Sequence, residues 1–213
     1  MSNKFTENSK CKKCRRAGEK LFLKGDKCYS AKCPMIKRNF PPGMHGPTQK
    51  GLKRTNYGKQ LLEKQKAKRI YGILETQFRN YFDKALSKVG NTGEILFNFL
   101  ESRLDNVVYR LGFAPSRRMA KQMIDHGHIK VDGKKVNIPS YQVKVGQVVS
   151  LNERALNKKG FAEIKNKLTK IENIPAYLSL DINKMAGKMT SQPKLGDVAV
   201  NVDWRTIVEF YSK

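Results

Sequence analysis

The four cysteines of this 213-residue chain all lie within its first 33 residues, as Cys11, Cys14, Cys28 and Cys33. Their C-x2-C-x13-C-x4-C spacing is typical of a tetrahedral zinc site, in which each close pair supplies two thiolates. We expect the first pair to form a tight turn around the metal and the loop to bring the second pair alongside it. Nearby lysines and arginines would lower the thiol pKa and offset the charge of four thiolates. The pattern therefore predicts a small, positively charged module held together by structural zinc.

Two other uses of the cysteines were weighed against zinc. A disulfide needs an oxidising compartment, and the first residues lack the apolar stretch of a secretory signal. An iron–sulfur cluster uses the same ligands, and the Cys33-Pro34 step is a feature of such proteins, but cluster patterns bring three cysteines close together. Iron–sulfur binding and cysteines that have lost their metal stay open as alternatives. No apolar run is long enough to span a membrane, so we predict no membrane association.

The charge of the chain is strongly positive. It has 43 Lys and Arg residues against 18 Asp and Glu, a formal net charge of +25 at pH 7. The excess is greatest in residues 1–60, which hold 16 basic and 3 acidic residues. Such a charge repels itself in a compact chain unless a polyanion neutralises it, so the composition indicates a nucleic-acid partner. The 39% hydrophobic content allows a modest core in one or two domains.

Helical periodicity follows the loop 41–47, whose prolines and glycines exclude regular structure. Apolar residues at spacings of three to five predict a helical run over 57–88. The spacing indicates that its aromatic residues are core rather than base-stacking residues, namely Tyr71, Phe78, Tyr81 and Phe82. A further helix is predicted over 94–111, with Asn91 or Thr92 as its N-cap.

The short helix predicted over 117–126, with Ser116 as its N-cap, has two distinct faces. The apolar face consists of Met119, Ala120, Met123 and Ile124. The cationic residues, which fall within roughly 100° of arc, are Arg117, Arg118 and Lys121. We expect this helix to pack with one face and to meet a polyanion with the other.

A β-hairpin is predicted directly after this helix, with strands 129–131 and 134–136. The dipeptide Asp132-Gly133 suits the positive φ angles of the type I′ turn that would join them. Alternating residues over 141–151 are predicted to complete a small sheet.

The remainder of the chain is predicted to be helical over 158–173 and mostly loop over 180–200. The apolar cluster in residues 202–211 predicts a final amphipathic helix. Because a free tail would be polar, we expect it to fold back on residues 57–90, with Phe210 as the buried anchor.

Six stretches of the sequence resemble, in order and over nearly the whole length, members of the bacterial-type small ribosomal subunit protein S4 family. They are LFLKGDKCYSAKC, PPGMHG, LLEKQKAKRIYGILETQF, LESRLDNVVYRLGFA, VNIPSY and IVEFYSK. Residues 103–106, 116–118, 121 and 126–133 also resemble the small RNA-binding fold named after this family. That fold occurs as well in some pseudouridine synthases and tyrosyl-tRNA synthetases, where a positive helix face and a hairpin dock on structured RNA.

The predicted fold class is α+β, with three parts. Residues 1–46 are expected to form the zinc module. Residues 47–98 are expected to form a helical domain completed by residues 199–213. Residues 99–198 are expected to form an S4-type RNA-binding domain of helices and a β-hairpin, with a following helix and loops. This domain would be inserted into the helical domain.

The resemblance implies a structural constituent of the small ribosomal subunit. Such a protein binds 16S-type rRNA as a primary binder, nucleates assembly of the subunit body and, with ribosomal protein S5, influences translational accuracy. Its implied partners are this rRNA, S5 and other small-subunit proteins, and mRNA close to where it enters the subunit; no homo-oligomer is expected. The implied location is the ribosome in the cytoplasm, with an organellar matrix or stroma left open.

Basic residues and histidines throughout the chain are predicted to contact RNA. They are Lys12, Lys13, Arg15, Arg16, His45, Lys53, Arg54, Lys59, Lys68, Arg69, Arg103, Arg117, Arg118, Lys121, His126, His128, Lys130 and Lys134. His45 is assigned to RNA rather than to a metal because four cysteines already complete a zinc shell.

Two further functions were considered. An RNA-modifying enzyme with the same binding fold would need a catalytic domain, and the chain has neither room for one nor a Gly-rich nucleotide loop or an evident nucleophile. We therefore predict that the protein is not an enzyme. A translational regulator that binds its own mRNA is compatible with the ribosomal function.

Overall fold

A computed structural model describes residues 4–48, 54–152, 168 and 174–212, without the side chains of residues 4–9. The chain forms two compact units, one of Met1–Phe78 with Asn201–Lys213 and the other of Arg79–Val200. These bounds differ from the predicted domain limits at 46, 98 and 198, because residues 79–98 group with the second unit. The three-part division stays a prediction.

The first unit begins with the helices α1 (Lys4–Ala17), α2 (Asp26–Tyr29) and α3 (Pro34–Lys37). The predicted tight turn at the first cysteine pair is wrong, because Cys11 and Cys14 both lie on α1. Their separation of three residues places them on the same side of the helix. A helix therefore presents the first two thiols.

The helical run predicted over 57–88 consists of two helices, α4 (Asn56–Tyr71) and α5 (Glu75–Leu86). Between them Gly72 has a φ of 64°, in the left-handed region that ends helices and favours glycine. The four aromatic residues predicted for the core are buried, which confirms that assignment. Leu74 and Leu86, which continue the apolar periodicity, are exposed.

The second unit contains α6 (Thr92–Glu101), α7 (Leu104–Arg110) and α8 (Arg117–Asp125). Asn91 caps α6, as predicted, by accepting hydrogen bonds from the backbone N–H groups of Gly93 and Glu94 at 3.0 and 3.4 Å. The single helix predicted over 94–111 is wrong, because the chain is extended at Arg103 (ψ 138°). Two residues, Ser102 and Arg103, therefore separate α6 from α7.

Helix α8 has the predicted N-cap, since Ser116 Oγ accepts a hydrogen bond from the Met119 backbone N–H at 3.3 Å. Ala120, Met123 and Ile124 are buried, as predicted. Met119 was assigned to the same apolar face but is 43% exposed. The packed face of α8 is therefore narrower than its apolar residues suggested.

Five antiparallel strands form one sheet in the second unit, in the order β2-β1-β3-β5-β4. They are β1 (Ile129–Val131), β2 (Lys134–Lys135), β3 (Val148–Leu151), β4 (Leu178–Asp181) and β5 (Ala186–Met189). The type I′ turn is confirmed by φ angles of 48° at Asp132 and 78° at Gly133.

Three further predictions concern the residues around the sheet. The range 180–200 is mostly loop, as predicted, but it also contains the end of β4 and all of β5, which were not predicted. Residues 141–145 form no strand, and Gln142 makes only an isolated bridge with Arg103. The helix predicted over 158–173 lies outside the described residues except for Leu168.

The core of the second unit lies between α7, α8 and the sheet. Its fully buried members are Leu104, Val108, Leu111, Phe113, Ala120, Ile124, Ile129, Val149 and Tyr177. Gly187 on β5 lies so close to the Leu111 side chain that a Cβ would overlap it. The glycine thus allows β5 to pack directly on the end of α7.

The last helix, α9 (Trp204–Tyr211), belongs to the first unit and packs against α4. Asp203 caps it by accepting a hydrogen bond from the Thr206 backbone N–H at 3.1 Å. Ile207 is fully buried and Trp204 nearly so, whereas Phe210 is only half-buried. The predicted helix is confirmed, but Phe210 is not its anchor. No helix in the described ranges is long and apolar enough to cross a membrane.

Candidate nucleic-acid interface

Helix α8 and the β1–β2 hairpin present cations on one continuous piece of chain. Arg118 and Lys121 are exposed on α8, and Lys134 and Lys135 are exposed on β2. Lys130 on β1 is half-buried and pairs directly with Lys135 in the strand register. Like charges directly opposite each other destabilise a sheet, so an anion bound here would relieve the repulsion. We call these five residues the α8–hairpin surface.

The turn between α8 and β1 brings the hairpin lysines close to the end of α8. Gly127 has a φ of 69°, and a Cβ at this position would overlap the Lys135 side chain. The rings of His126 and His128, on either side of it, are stacked with centroids 6.1 Å apart. His126 is exposed and His128 half-buried. Lys135 was missed in the sequence, although Lys134 beside it was predicted.

Arg117 has a different role from the other two cations of α8. Its Nε donates a hydrogen bond to Asn106 Oδ1 at 2.8 Å, and its guanidinium lies over the Tyr109 ring, 4.5 Å from the centroid. Both partners lie on α7. Arg117 therefore fixes the start of α8 to α7, while Arg118 and Lys121 extend to the surface.

A buried carboxylate holds the elements beneath this surface together. Glu101 at the end of α6 is fully buried. Its Oε2 accepts hydrogen bonds from Asn106 Nδ2 at 2.7 Å, Arg110 Nε at 3.0 Å and the Tyr177 hydroxyl at 2.7 Å. Arg110 Nη2 donates to Oε1 at 2.9 Å. Through Asn106, this network continues to Arg117.

The charges around Glu101 decide its ionisation. Burial alone would raise the pKa of this carboxyl, but the charge and hydrogen bonds of Arg110, with smaller effects of Arg117 and Tyr177, outweigh burial and hold the pKa at about 2. Burial and the neighbouring Glu101 charge raise the pKa of Tyr177. The tyrosine thus stays a hydrogen-bond donor, and the carboxylate stays charged at neutral pH.

Arg103 was predicted to contact RNA, but the structure buries its side chain and pairs it within the protein. Only 2% of it is exposed. Its Nε and Nη2 donate to the two carboxylate oxygens of Asp105 at 3.0 and 2.6 Å, and its Nη1 donates to the Tyr81 hydroxyl at 2.8 Å. The residue is a buried structural cation at the α6–α7 break.

The residues predicted to contact RNA in the N-terminal part of the first unit also include both exposed side chains and one that is bonded within the protein. Lys12, Lys13 and Arg16 are exposed on α1, and His45 is exposed in its loop. Arg15 instead donates hydrogen bonds to the backbone oxygens of Phe40 and Pro41 at 2.9 and 3.1 Å. Its guanidinium also lies 4.7 Å from the Phe40 ring centroid. Arg15 therefore holds the loop against α1.

The cations on and near α4 vary in exposure. Arg54 and Lys59 are exposed, and Lys53 lies outside the described residues. Lys68 pairs with Glu75 at 2.8 Å. Arg69 is half-buried, and burial and the charge of Arg16 lower its pKa. Lys68 is thus already committed to an ion pair within the protein.

The four cysteines line one small cavity between α1, α2 and α3. Cys14, Cys28 and Cys33 are buried and Cys11 is half-buried. Cys28 Sγ accepts a hydrogen bond from the Lys24 backbone N–H at 3.3 Å. Burial raises the pKa of the Cys14 thiol, and a backbone hydrogen bond with Leu21 lowers it by less. As placed, the described residues contain no set of three or more His, Cys, Asp or Glu side chains that could hold a metal ion.

Comparison with known proteins shows two family models that match consecutive parts of the chain. A model of the ribosomal protein S4/S9 N-terminal domain matches residues 6–101, and a model of the S4 domain matches residues 102–149. The chain is 51% identical over 203 residues to small ribosomal subunit protein uS4A of Alkaliphilus metalliredigens, covering 95% of this chain and 96% of that protein. It is 52% identical, with the same coverage, to uS4 of Caldicellulosiruptor bescii. The chain belongs to the uS4 family.

Membership of the uS4 family confirms the resemblance found in the sequence. It also confirms that the chain is a structural ribosomal protein rather than an enzyme. The observed helices and antiparallel sheet, with an S4 domain, agree with the α+β class. The S4-domain match covers α7, α8, β1 and β2, which carry the α8–hairpin surface, whereas Glu101 and Tyr177 beneath it lie outside the matched range.

Proposed function

We propose that the protein is a structural constituent of the small ribosomal subunit that binds 16S-type rRNA through the α8–hairpin surface. The observation that carries this proposal is the exposure of four cations on α8 and β2, in a unit whose buried Glu101 carboxylate stays charged. Because Arg117 binds Asn106, which binds Glu101, the start of α8 is fixed to α7 without RNA. Binding then releases counterions from the phosphates and selects the RNA by its shape.

A salt titration with two double variants tests this surface. Arg118→Gln with Lys121→Gln removes two exposed charges from α8. Lys184→Gln with Lys188→Gln is the matched control, because it removes two exposed charges from the β4–β5 side of the same sheet. Neither pair is expected to change the thermal unfolding midpoint, since exposed charges contribute little to stability.

The measured quantity is the affinity for deproteinised small-subunit rRNA at several salt concentrations. Each lost phosphate contact reduces the slope of log affinity against log salt by about 0.7–0.9. The α8 variant should therefore lose about 1.4–1.8 from this slope, and the control should keep the wild-type slope. Equal slopes for the α8 variant and the wild type would remove this surface from the RNA contact.

A finer role in assembly follows from the family. We propose that the protein is a primary binder that nucleates the subunit body, contacts S5 and lies close to the entering mRNA, where it influences accuracy. Its support is the presence of exposed cations in both units, which would let one chain engage more than one RNA helix. Stepwise reconstitution tests the role: omission of this protein should block the addition of later proteins, including S5, to the body.

Zinc at the cysteine cavity is a further part of the proposal. The observation that supports it is that all four cysteines line one cavity and are contributed by α1, α2 and the start of α3. Cys11, Cys14, Cys28 and Cys33 would hold the ion as four thiolates, a set that suits structural zinc. Lys10, Lys24 and Lys27 also line the cavity and would offset the negative charge. Zinc would supply a crosslink between the three short helices.

A further inference from the structure

Two aromatic rings are stacked at the surface of the N-terminal module rather than in its core. The centroids of Phe22 and Tyr29 are 4.9 Å apart, with an interplanar angle of 29°. Tyr29 is 69% exposed and Phe22 36% exposed. Stacked aromatic rings are usually found where they bury large apolar areas. The exposure of this pair therefore needs a reason other than the core.

The backbone at Phe22 is strained in a way that favours this arrangement. Its φ is 50°, in the left-handed region that is a genuine outlier for a bulky side chain. Such conformations cluster at active sites and ligand-binding positions. Its neighbour Leu21 is buried. The module thus buries the leucine while turning the phenylalanine outward against Tyr29.

The charge around the pair indicates what it binds. Lys20, Lys24, Lys27 and Lys32 lie within three positions of one or the other ring in sequence, against two acidic residues, Glu19 and Asp26, in the same windows. Three of these lysines are exposed and Lys24 is half-buried. Aromatic faces between cations are the usual platform for an unpaired base, whose phosphates the cations neutralise.

We propose that Phe22 and Tyr29 form a stacking platform for an unpaired base of the bound RNA. This inference rests on the proposed rRNA-binding function and adds a contact that reads a single-stranded nucleotide. The α8–hairpin surface engages phosphates, which any RNA carries, whereas a stacked base requires a bulge, a loop or an end. The N-terminal module would thereby select RNA with an unpaired nucleotide at one position.

The test uses the full-length protein, deproteinised small-subunit rRNA and three variants. Tyr29→Ala removes one ring, Tyr29→Phe keeps it, and Ile36→Ala removes an exposed apolar side chain from the same module without touching a ring. Loss of a stacked base weakens binding by roughly 5- to 150-fold. Tyr29→Ala should show this loss with an unchanged salt slope, because no charge is removed. Tyr29→Phe and Ile36→Ala should stay within about twofold of wild type.

A second variant and a second readout keep the test decisive. Should Tyr29→Ala unfold the module, Phe22→Leu removes the other ring and should weaken binding in the same way. Ultraviolet crosslinking followed by mass spectrometry should join Phe22 or Tyr29 to an unpaired nucleotide.

The two proposals fail in different ways. A wild-type protein that does not bind rRNA would overturn the proposed function and the platform together. A wild type that binds, with a folded Tyr29→Ala variant of equal affinity, would overturn the platform alone and leave the ring pair for a protein neighbour.

Discussion

Arg103 and Asp105 form a two-pronged ion pair inside the protein, with Nε–Oδ1 and Nη2–Oδ2 distances of 3.0 and 2.6 Å. Both side chains are almost fully buried. The pair lies where the chain leaves α6 and enters α7. Arg103 Nη1 also donates a hydrogen bond to the Tyr81 hydroxyl oxygen at 2.8 Å. The pair therefore fixes the break between the two helices that support the α8–hairpin surface.

We predict that Arg103→Ala destabilises the protein by about 3–5 kcal/mol, because it leaves the Asp105 carboxylate buried without its partner. Arg118→Ala is the matched control, since it removes an exposed arginine and should change the free energy of unfolding by less than about 0.5 kcal/mol. The double variant Arg103→Met with Asp105→Leu should recover most of the loss, because neither charge then remains. Urea unfolding measures all three.

The same variants show whether Arg103 stabilises the protein or contacts RNA. Folded Arg103→Ala protein should bind rRNA with the wild-type salt slope. A fully stable Arg103→Ala protein whose slope falls by about 0.7–0.9 would instead show that Arg103 contacts a phosphate.

The pH dependence of stability should report the buried Glu101 carboxylate. Its pKa of about 2 in the folded protein lies below the ordinary value of 4.5. The folded state thus favours the charged form, so its contribution is complete above about pH 4.5 and is lost as the pH falls towards 2. The shift corresponds to roughly 3 kcal/mol. Unfolding free energies measured across this window should fall accordingly.

Two variants assign this acid sensitivity to Glu101. Tyr177→Phe removes one hydrogen bond to the carboxylate and should lower stability at pH 7 by about 1.5–3 kcal/mol. Glu94→Gln, an exposed change on the same helix α6, should leave both the stability and its pH profile unchanged. A Tyr177→Phe protein as stable as wild type would mean that the hydroxyl contributes nothing to the network.

Local signals in the sequence predicted much of the fold because they act over a few residues. The caps at Asn91 and Ser116 and the turn at Asp132-Gly133 each depend on side chains or φ angles within one turn of chain. The break at Arg103 escaped prediction because Leu100 and Leu104 keep the helical spacing across it. What holds the break is a set of contacts distant in sequence: Arg103 bridges to Gln142, and the Leu104 backbone N–H donates to the Tyr141 carbonyl oxygen at 2.8 Å.

Strands β4 and β5 escaped prediction for a related reason. They are only four residues long, and β5 contains Gly187, a residue that weakens strand signals. The glycine is required by the side chain of Leu111, which lies about 75 residues earlier in the sequence. Likewise, the sequence identified the cations but not their partners. Lys68 and Arg103 are paired with acidic residues within the protein, whereas Arg118 is exposed.

Removal of metal should unfold the N-terminal module selectively. In residues 10–48 the buried apolar side chains are Leu21 and three cysteines, which is too little for a core. A structural zinc site supplies about 10–16 kcal/mol of folding free energy at neutral pH. We expect one zinc per chain by native mass spectrometry, and chelation should abolish amide protection in this segment alone.

Variants at the cavity link that loss to the thiols. Cys28→Ser should reproduce the effect of chelation, whereas Lys27→Ala, which changes another cavity-lining residue, should retain the zinc. Protein purified without chelators that contains no metal, yet shows full amide protection in α1, would contradict a zinc site.

The C-terminal helix should depend on Ile207 more than on Phe210. Ile207 is fully buried on the face of α9 that packs against α4, so Ile207→Ala should cost about 2–5 kcal/mol. Phe210 is half-buried, and its ring contacts Tyr57 at a centroid distance of 5.7 Å. Phe210→Ala should therefore cost less than Ile207→Ala. The Ile207→Ala variant should show faster amide exchange in α4 and unchanged amide exchange in α8. A larger loss of stability in Phe210→Ala than in Ile207→Ala would show that the Phe210 ring is the anchor.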